Sequence, residues 1–274
     1  MSMRHCAPGP APPPFVATAH SQRRTYVPRA GDRTDAMADQ GQRSRLPRRS
    51  AREGMADAAG DDAAVASLGV TRRFLIVQHG EKERQAGDPG LTDLGRSQAQ
   101  ATAAWVRSTF APARIVSSPL RRAVETATPI AAALGCELTT DDRLRERMNW
   151  HDADEQTLDG FLGEWHRSSD DRSFVPRLGN SSFEAADRFI TAMRELALSE
   201  EDGAEVVLVT HGGVTVDALR SLLGDDRLLA EQPDLITNGV PCCAVTKIYW
   251  NDDEWRASLP SAAHLVERSE RRPA

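Results

Sequence analysis

The sequence predicts an α/β fold, a three-layer sandwich with a mostly parallel sheet flanked by helices. Two observations carry that expectation. From Arg73 onward, short continuous apolar runs alternate with amphipathic segments, the pattern of strands covered on both faces and joined by helices. Two of those runs, Phe74-Leu75-Ile76-Val77 and Val206-Val207-Leu208-Val209, end in the same way, at His79-Gly80 and His211-Gly212.

The elements follow in order. Phe74 to Val77 is a buried strand that stops at Gln78-His79-Gly80. Thr92 is a helix N-cap, followed by Leu94, Ala101, Trp105 and Val106 at helix-compatible spacing. Arg114 to Ser117 reads as a second strand. Pro119 suits the first turn of the next helix, which carries Ala123, Ala127, Ile130, Ala131 and Leu134 and ends at Gly135. Residues 141–180 are irregular, with a helical patch around Thr157 to Trp165, and read as an insertion rather than a second domain. Ser182 to Leu198 is an amphipathic helix whose apolar stripe would be Phe183, Ala186, Phe189, Ile190, Met193 and Leu196. After the second buried strand comes a helix from Val214 to Leu223. Val245 to Trp250 and the segment around Trp255 would close the fold as an antiparallel pair, turning at Asn251-Asp252-Asp253.

Composition sets the limits. The chain of 274 residues is 40% hydrophobic, enough for a substantial core. Residues 1–70 are rich in Ala, Pro, Arg, Asp and Gly without a sustained period, and are expected to be a disordered extension to a domain spanning 71–274. An arm for nucleic acid or anionic lipid, or a transit sequence, is the alternative reading of their arginines. Met37 and Met55 leave open a biological start further in. The net charge of −6 divides unevenly: residues 1–50 hold nine Arg against three Asp, so the folded part is the acidic one. That disfavours nucleic acid as a partner. No run approaches the ~20 apolar residues of a membrane span, and no signal-like apolar stretch opens the chain, so the expected location is cytoplasmic. Cys6, Cys136, Cys242 and Cys243 show no metal-ligand spacing.

Strand ends are where open α/β sheets bind ligands, so His79 and His211 would face one crevice if their strands are neighbours. A lone histidine at a strand end is usually structural; two matching corners reverse that reading. Between them, Ser117-Ser118-Pro119-Leu120-Arg121-Arg122 runs from a strand end into a helix N-terminus, whose free N–H groups and an Arg fork suit phosphate oxygens.

These residues resemble the histidine phosphatase superfamily, which has a phosphoglycerate mutase-like fold. Gln78-His79-Gly80-Glu81 is similar to the family's Arg-His-Gly-Glu, and Leu91-Thr92-Asp93-Leu94-Gly95-Arg96-Ser97-Gln98-Ala99 to its Leu-Thr-x-x-Gly-x-x-Gln-Ala. Residues 117–127 resemble Ser-Ser-Pro-Leu-x-Arg-Ala-x-x-Thr-Ala, Leu144-Arg145-Glu146 the acid-bearing Leu-x-Glu, and 211–213 the closing His-Gly-Gly. The resemblance spans about residues 73–250. It implies a phosphatase that hydrolyses a phosphomonoester of a small metabolite. His79 would be the nucleophile that forms a phosphohistidine, and Glu146 the general acid and then base. Arg122, rather than Arg121, and a protonated His211 would hold the phosphoryl oxygens, at a corner where Gly80 lets the backbone come close. The alternative for Glu146 is a surface ion pair with its neighbours Arg145 and Arg147. No metal or cofactor is needed by this chemistry.

One position departs from the family. Gln78 stands where an Arg normally precedes the nucleophile, and an amide brings neither charge nor a fork to phosphate. Lys82 and Arg84 are the nearest cations in sequence to fill in. The same departure motivates the alternative of a catalytically weak or inactive phosphate-binding, regulatory module; a phosphomutase is a further alternative. Substrate identity would reside around Trp150 to Asn180, where Asn149, Trp150, His151, Trp165, His166, Arg167 and Arg172 are candidates to line the pocket. An ordinary surface insertion with a small core of Phe161, Leu162 and Trp165 is the competing reading there.

Overall fold

The computed structural model describes residues 72–150, 155–251 and 254–270. The expectations for residues 1–70, for His151 and for the turn at Asp252-Asp253 lie outside the described residues. Six strands form one sheet: β1 (Arg72–Gln78), β2 (Arg114–Ser117), β3 (Leu138–Thr140), β4 (Glu205–Thr210), β5 (Val245–Asn251) and β6 (Glu254–Ala257), in the order β3-β2-β4-β1-β5-β6. The first four in that order run parallel, and β5 and β6 are antiparallel additions at one edge. The mostly parallel three-layer arrangement expected from the sequence is the one found.

The apolar runs are continuous because each strand is covered on both faces. Along β1, Phe74 and Ile76 pack with one group of side chains and Leu75 and Val77 with another. The first group includes Phe189 and Met193 of α4 (Ser182–Ser199) and Leu219 of α5 (Gly212–Leu223). The second includes Ala103 and Val106 of α1 (Asp93–Thr109) and Ala127 and Ile130 of α2 (Arg121–Leu134). Each of the larger buried side chains among them, such as Phe74, Ile76, Phe189 or Leu219, contributes roughly 1.5–3 kcal/mol. Together these contacts fix the level at which the strands end.

Local signals held closely in places and slipped in others. Thr92 does cap α1, its hydroxyl accepting from the Gly95 N–H, and Gly135 ends α2 in the left-handed conformation at φ 69°. Pro119 lies outside α2, whose N-cap is Leu120. The helical patch extends further than expected, as α3 (Leu158–Asp170), and Phe183 lies outside the buried stripe of α4, half exposed with the Arg172 guanidinium stacked on it. Ala185, Ala192 and Ala197 take the buried positions instead. Three short helices, α6 (Asp225–Glu231), α7 (Leu235–Asn238) and α8 (Ala263–Glu270), and strand β3 had no counterpart in the sequence reading.

Candidate active site

The strands β1 and β4 are adjacent and in register, with Gln78 opposite Thr210, so the residues that follow them stand side by side. The His79 N–H donates to the Thr210 carbonyl at 3.0 Å, and the two imidazoles meet edge to face, with ring centroids 5.2 Å apart. On the other side of β4, β2 delivers Ser118, whose N–H donates to Val209 and whose hydroxyl lies 2.7 Å from His211 Nε2. The common crevice expected for the two histidines therefore exists.

His79 Nδ1 lies 2.7 Å from the Gly80 carbonyl oxygen. A carbonyl only accepts, so Nδ1 carries the proton and Nε2 keeps its lone pair. Burial, reinforced by the Arg122 guanidinium, pushes the imidazole down to about 3, which leaves it neutral near pH 7. His211 is also held well below the ordinary histidine range, by burial first and then by Arg122. Burial and the Arg122 guanidinium thus work against the protonated His211 that was expected. A Ser118 hydroxyl donating to Nε2 would place the proton of a neutral ring on Nδ1, a buried atom with no hydrogen-bond partner among the described residues.

The turn after β1 depends on two glycines. A Cβ on Gly80 would lie 2.6 Å from the Gly95 carbonyl oxygen, and one on Gly95 would lie 2.0 Å from that of Glu81. Chain and helix can approach this closely only without side chains. The Gly80 N–H donates to Thr126 Oγ1 of α2 and the Glu81 N–H to the Gln98 side chain of α1, so both helices pin the corner.

Arg122 is 3% exposed, whereas Arg121 points outward and pairs with Glu125 at 2.6 Å. The preference for Arg122 agrees with this placement. The N-terminus of α2 does not behave as expected, because the Asp88 carboxylate takes the Arg121 N–H with both oxygens, at 2.9 and 3.1 Å. The protein thereby supplies its own anion at that N–H. Gln78 is buried; its Nε2 lies 3.5 Å from His79 Nε2, and its Oε1 has no partner among the described residues.

Glu146 is not paired with the guanidinium of Arg145 or Arg147. Its carboxylate accepts from the N–H groups of Gly213 at 2.9 Å and of Val214 and Arg147 at 2.8 Å, and so sits on the first turn of α5 directly after His211. Gly213 admits it, since a Cβ there would come within 2.5 Å of both Glu146 Oε1 and the Trp165 ring. The Arg147 guanidinium turns inward to Asp217 at 2.9 Å and stacks over Trp165 at 4.0 Å.

Two cavities open from these residues, and His79, Lys82, Glu146 and Trp165 border both. One, of about 380 Å³, continues past Arg84 and Arg122 to Met148, Asn149, Trp150, Leu158, Phe161 and Leu162. The other, of about 280 Å³, runs between Gln78, Arg220 and the segment Ile236 to Val240. Of the residues expected around the pocket, Asn149, Trp150 and Trp165 line it. His166 and Arg167 are exposed on α3, and Arg172 binds Ser182, Ser221 and the Asp217 carbonyl away from both cavities. Phe161 and Leu162 are cavity wall rather than a private core. The roles of Ser118, Thr126, Arg147, Asp217 and Arg188 were missed: Ser118 and Thr126 lay inside a motif already quoted, and Arg147 had been considered only as an ion-pair partner of Glu146.

The family model for the histidine phosphatase superfamily (branch 1) matches residues 74–262. A glucosyl-3-phosphoglycerate phosphatase of Mycobacterium tuberculosis is 34% identical over 226 residues, covering 71% of this chain and 99% of that protein. The phosphoglycerate mutase-like protein 4 of Arabidopsis thaliana is 34% identical over 211 residues, covering 71% and 87%. Among solved structures, a mycobacterial glucosyl-3-phosphoglycerate phosphatase complexed with VO3 aligns with a TM-score of 0.55 at 29% identity, over 69% of this chain and 98% of that one. With the paired histidines on adjacent strand ends and a family match across nearly the whole described domain, the chain belongs to the histidine phosphatase superfamily.

Proposed function

We propose that this phosphoric monoester hydrolase releases phosphate from a small phosphorylated metabolite through a phosphohistidine on Nε2 of His79. The observation that carries the reading is the neutral His79 ring with its proton fixed on Nδ1, which leaves Nε2 as a lone pair facing the crevice. In the first step a bond forms between Nε2 and phosphorus as the ester P–O bond breaks, and Glu146 gives its proton to the leaving oxygen. In the second, Glu146 takes a proton from water, the new P–O bond forms and the P–N bond breaks. Arg122 supplies fixed positive charge to the phosphoryl oxygens, and Nδ1–H of the neutral His211 adds a hydrogen bond. Gln78 contributes a neutral donor. Lys82, which borders both cavities with His79, takes over the charge that Arg would bring at position 78, with Arg84 further out.

The likeness to glucosyl-3-phosphoglycerate phosphatases supports a sugar-bearing phosphoester as the substrate, and the wall of Trp150, Phe161 and Trp165 suits the face of a ring. Gln78 favours the second reading, a weak or inactive phosphate-binding module. Phosphate release from para-nitrophenyl phosphate decides between them: the intact protein turns it over and His79→Ala does not. Turnover that survives the substitution rejects His79 as nucleophile. Phosphate binding with no turnover in the intact protein establishes the module.

A further inference from the structure

His79 stands between two cavities of different character. Arg122 borders the aromatic one and not the other, whereas Gln78 and Gly212 border the second and not the aromatic one. The arginines on the wall of the second cavity, of about 280 Å³, are already paired. Arg147 is held by Asp217 at 2.9 Å, and Arg220 by both oxygens of Asp225, at 2.9 and 2.7 Å, and by the Ser169 carbonyl. Lys82 is shared by the two cavities. Burial comes first in lowering the proton affinity of His79, and the charges of Arg122 and Lys82 add to it, which places both cations near the ring.

The Gln78 amide is oriented by its neighbour. His79 Nε2 carries a lone pair, so the group 3.5 Å from it is the amide nitrogen, and Oε1 is turned away from the nucleophile. Oε1 is buried and has no partner among the described residues. A Cβ on Gly212 would stand 3.4 Å from the amide nitrogen and 3.7 Å from Oε1, so bare backbone flanks the amide on the side of the second cavity. With phosphorus at His79 Nε2, Arg122 and Lys82 supply charge to two of its oxygens, and the amide faces a third. A phosphomonoester dianion spreads its charge over all three oxygens that do not leave. A phosphodiester carries charge on two, and its third is an esterified oxygen with a carbon chain. A neutral amide backed by an open cavity matches the esterified oxygen and its chain, and serves a third anionic oxygen poorly. A monoester, with one organic group, would leave one of the two cavities empty.

We infer that the chain also hydrolyses phosphodiesters, with the leaving alcohol in the aromatic cavity and the retained ester group in the cavity beside Gln78. The inference rests on the reading of His79 as nucleophile and goes beyond the monoester reaction. The Nε2–P bond forms as the P–O bond to the leaving alcohol breaks, and Glu146, which borders both cavities, gives that oxygen its proton. Glu146 then takes a proton from water, whose oxygen bonds to phosphorus as the P–N bond breaks. The product is the phosphomonoester of the retained alcohol.

The test compares initial nitrophenol release from bis(para-nitrophenyl) phosphate and from para-nitrophenyl phosphate by the full-length protein. The leaving group is the same in both, so the ratio of their kcat/KM values reports the second substituent. The diester should react at least about one tenth as fast as the monoester, because the oxygen whose charge it gives up lies where no cation holds it. Gln78→Arg should lower the diester-to-monoester ratio at least about tenfold, by favouring a third anionic oxygen. Thr237→Trp, on the exposed α7 wall of the second cavity, should lower the ratio by a similar factor, by filling the space for the retained group. A ratio below about one tenth in the intact protein, diester turnover that survives His79→Ala, or a ratio that either substitution leaves unmoved overturns the inference. Monoester turnover that His79→Ala abolishes, alongside such a low ratio, leaves the monoester reading standing alone. Diester turnover that His79→Ala abolishes, with no monoester turnover, sustains the inference and overturns the monoester reading. No turnover of either substrate overturns both.

Discussion

The floor of the site, at the ends of β1, β2 and β4, is held by backbone hydrogen bonds between neighbouring strands. Its roof, from Glu146 to the end of α3, is held by the long side chains of arginines. On the floor, His79 and Ser118 are each fixed by an N–H donating to a carbonyl of β4. In the roof, Arg147 binds Asp217 and Ser169 and stacks on Trp165, Arg188 gathers the carbonyls of residues 143, 145 and 146, and Arg220 reaches the Ser169 carbonyl. A floor made of backbone tolerates changes in side chains nearby, whereas a roof made of guanidinium contacts fails when one is removed. The site thus combines a phosphate crevice held by main chain with a cover held by side chains.

The sharpest break in this comparison is Arg147→Met. It leaves the Asp217 carboxylate buried and unpaired, which costs about 3–5 kcal/mol and frees Trp165. Denaturant unfolding should show that loss, and the double variant Arg147→Met/Asp217→Leu should recover most of it. A double variant as unstable as the single one would mean that the guanidinium stack, not the charge, holds the roof.

Next in size is Lys82→Gln, which touches the floor's charge and not its folding. If Lys82 stands in for the missing Arg, kcat/KM should fall by about 10²–10³ with little change in Tm, the effect of losing one transition-state donor. In the Lys82→Gln background, Gln78→Arg should restore most of that loss. Full activity of Lys82→Gln would show that Arg122 alone suffices.

Smaller is a pH effect on stability from the floor and the α1–α8 contact. The buried His79 and His264 rings resist protonation until about 3 and about 4, while in the unfolded chain they take up protons below about 6.5. Below about 6.5 the unfolded state therefore binds more protons, and stability falls as pH drops through that window. Asp217, raised to about 6 chiefly by burial and so protonated more readily when folded, acts in the opposite sense between about 3.9 and 6. His264, stacked on Trp105 and bonded to Thr102, borders neither cavity at His79, so His264→Gln should flatten the fall in Tm between pH 6.5 and 4 and leave kcat/KM unchanged. An unchanged pH profile would exclude His264 from the acid response.

The smallest expected effect belongs to Trp165→Ala. It should raise KM for a ring-bearing phosphoester several-fold and that for a small alkyl phosphate hardly at all, in line with about 0.5–1.5 kcal/mol for an aromatic contact. Equal changes for both would place Trp165 in the frame of the roof rather than at the substrate.

How much of this could be read in advance follows the same division. The floor was legible because its signals are local: an apolar run, a turn at glycine, and an N-cap three residues from its donor. Gln78 could be recognised as a departure because the motif around it was intact. The roof rests on pairs distant in sequence. Asp217 sits in an apolar helix where nothing nearby announces Arg147, 70 residues away. Arg188 lies on the side of α4 that the periodicity marks only as polar. That the Arg121 N–H at the start of α2 is already taken was hidden for the same reason, since Asp88 comes from a loop 33 residues earlier. Local periodicity reports burial but not which buried charge meets which.

The position of Glu146 on the Gly213 and Val214 N–H groups has a consequence for how its variants are to be read. His211 gives α5 no side-chain cap, so the carboxylate from the Leu144-Arg145-Glu146 segment does that work across the crevice. Acid and helix start are a single unit, and the roof is stitched to the floor at the atom that would move the proton. Glu146→Ala would remove the proton carrier and uncap α5 together, the latter costing about 0.5–2 kcal/mol. Glu146→Gln keeps one acceptor oxygen for the helix and separates the two effects, so the difference between the variants measures how far chemistry and architecture share one carboxylate.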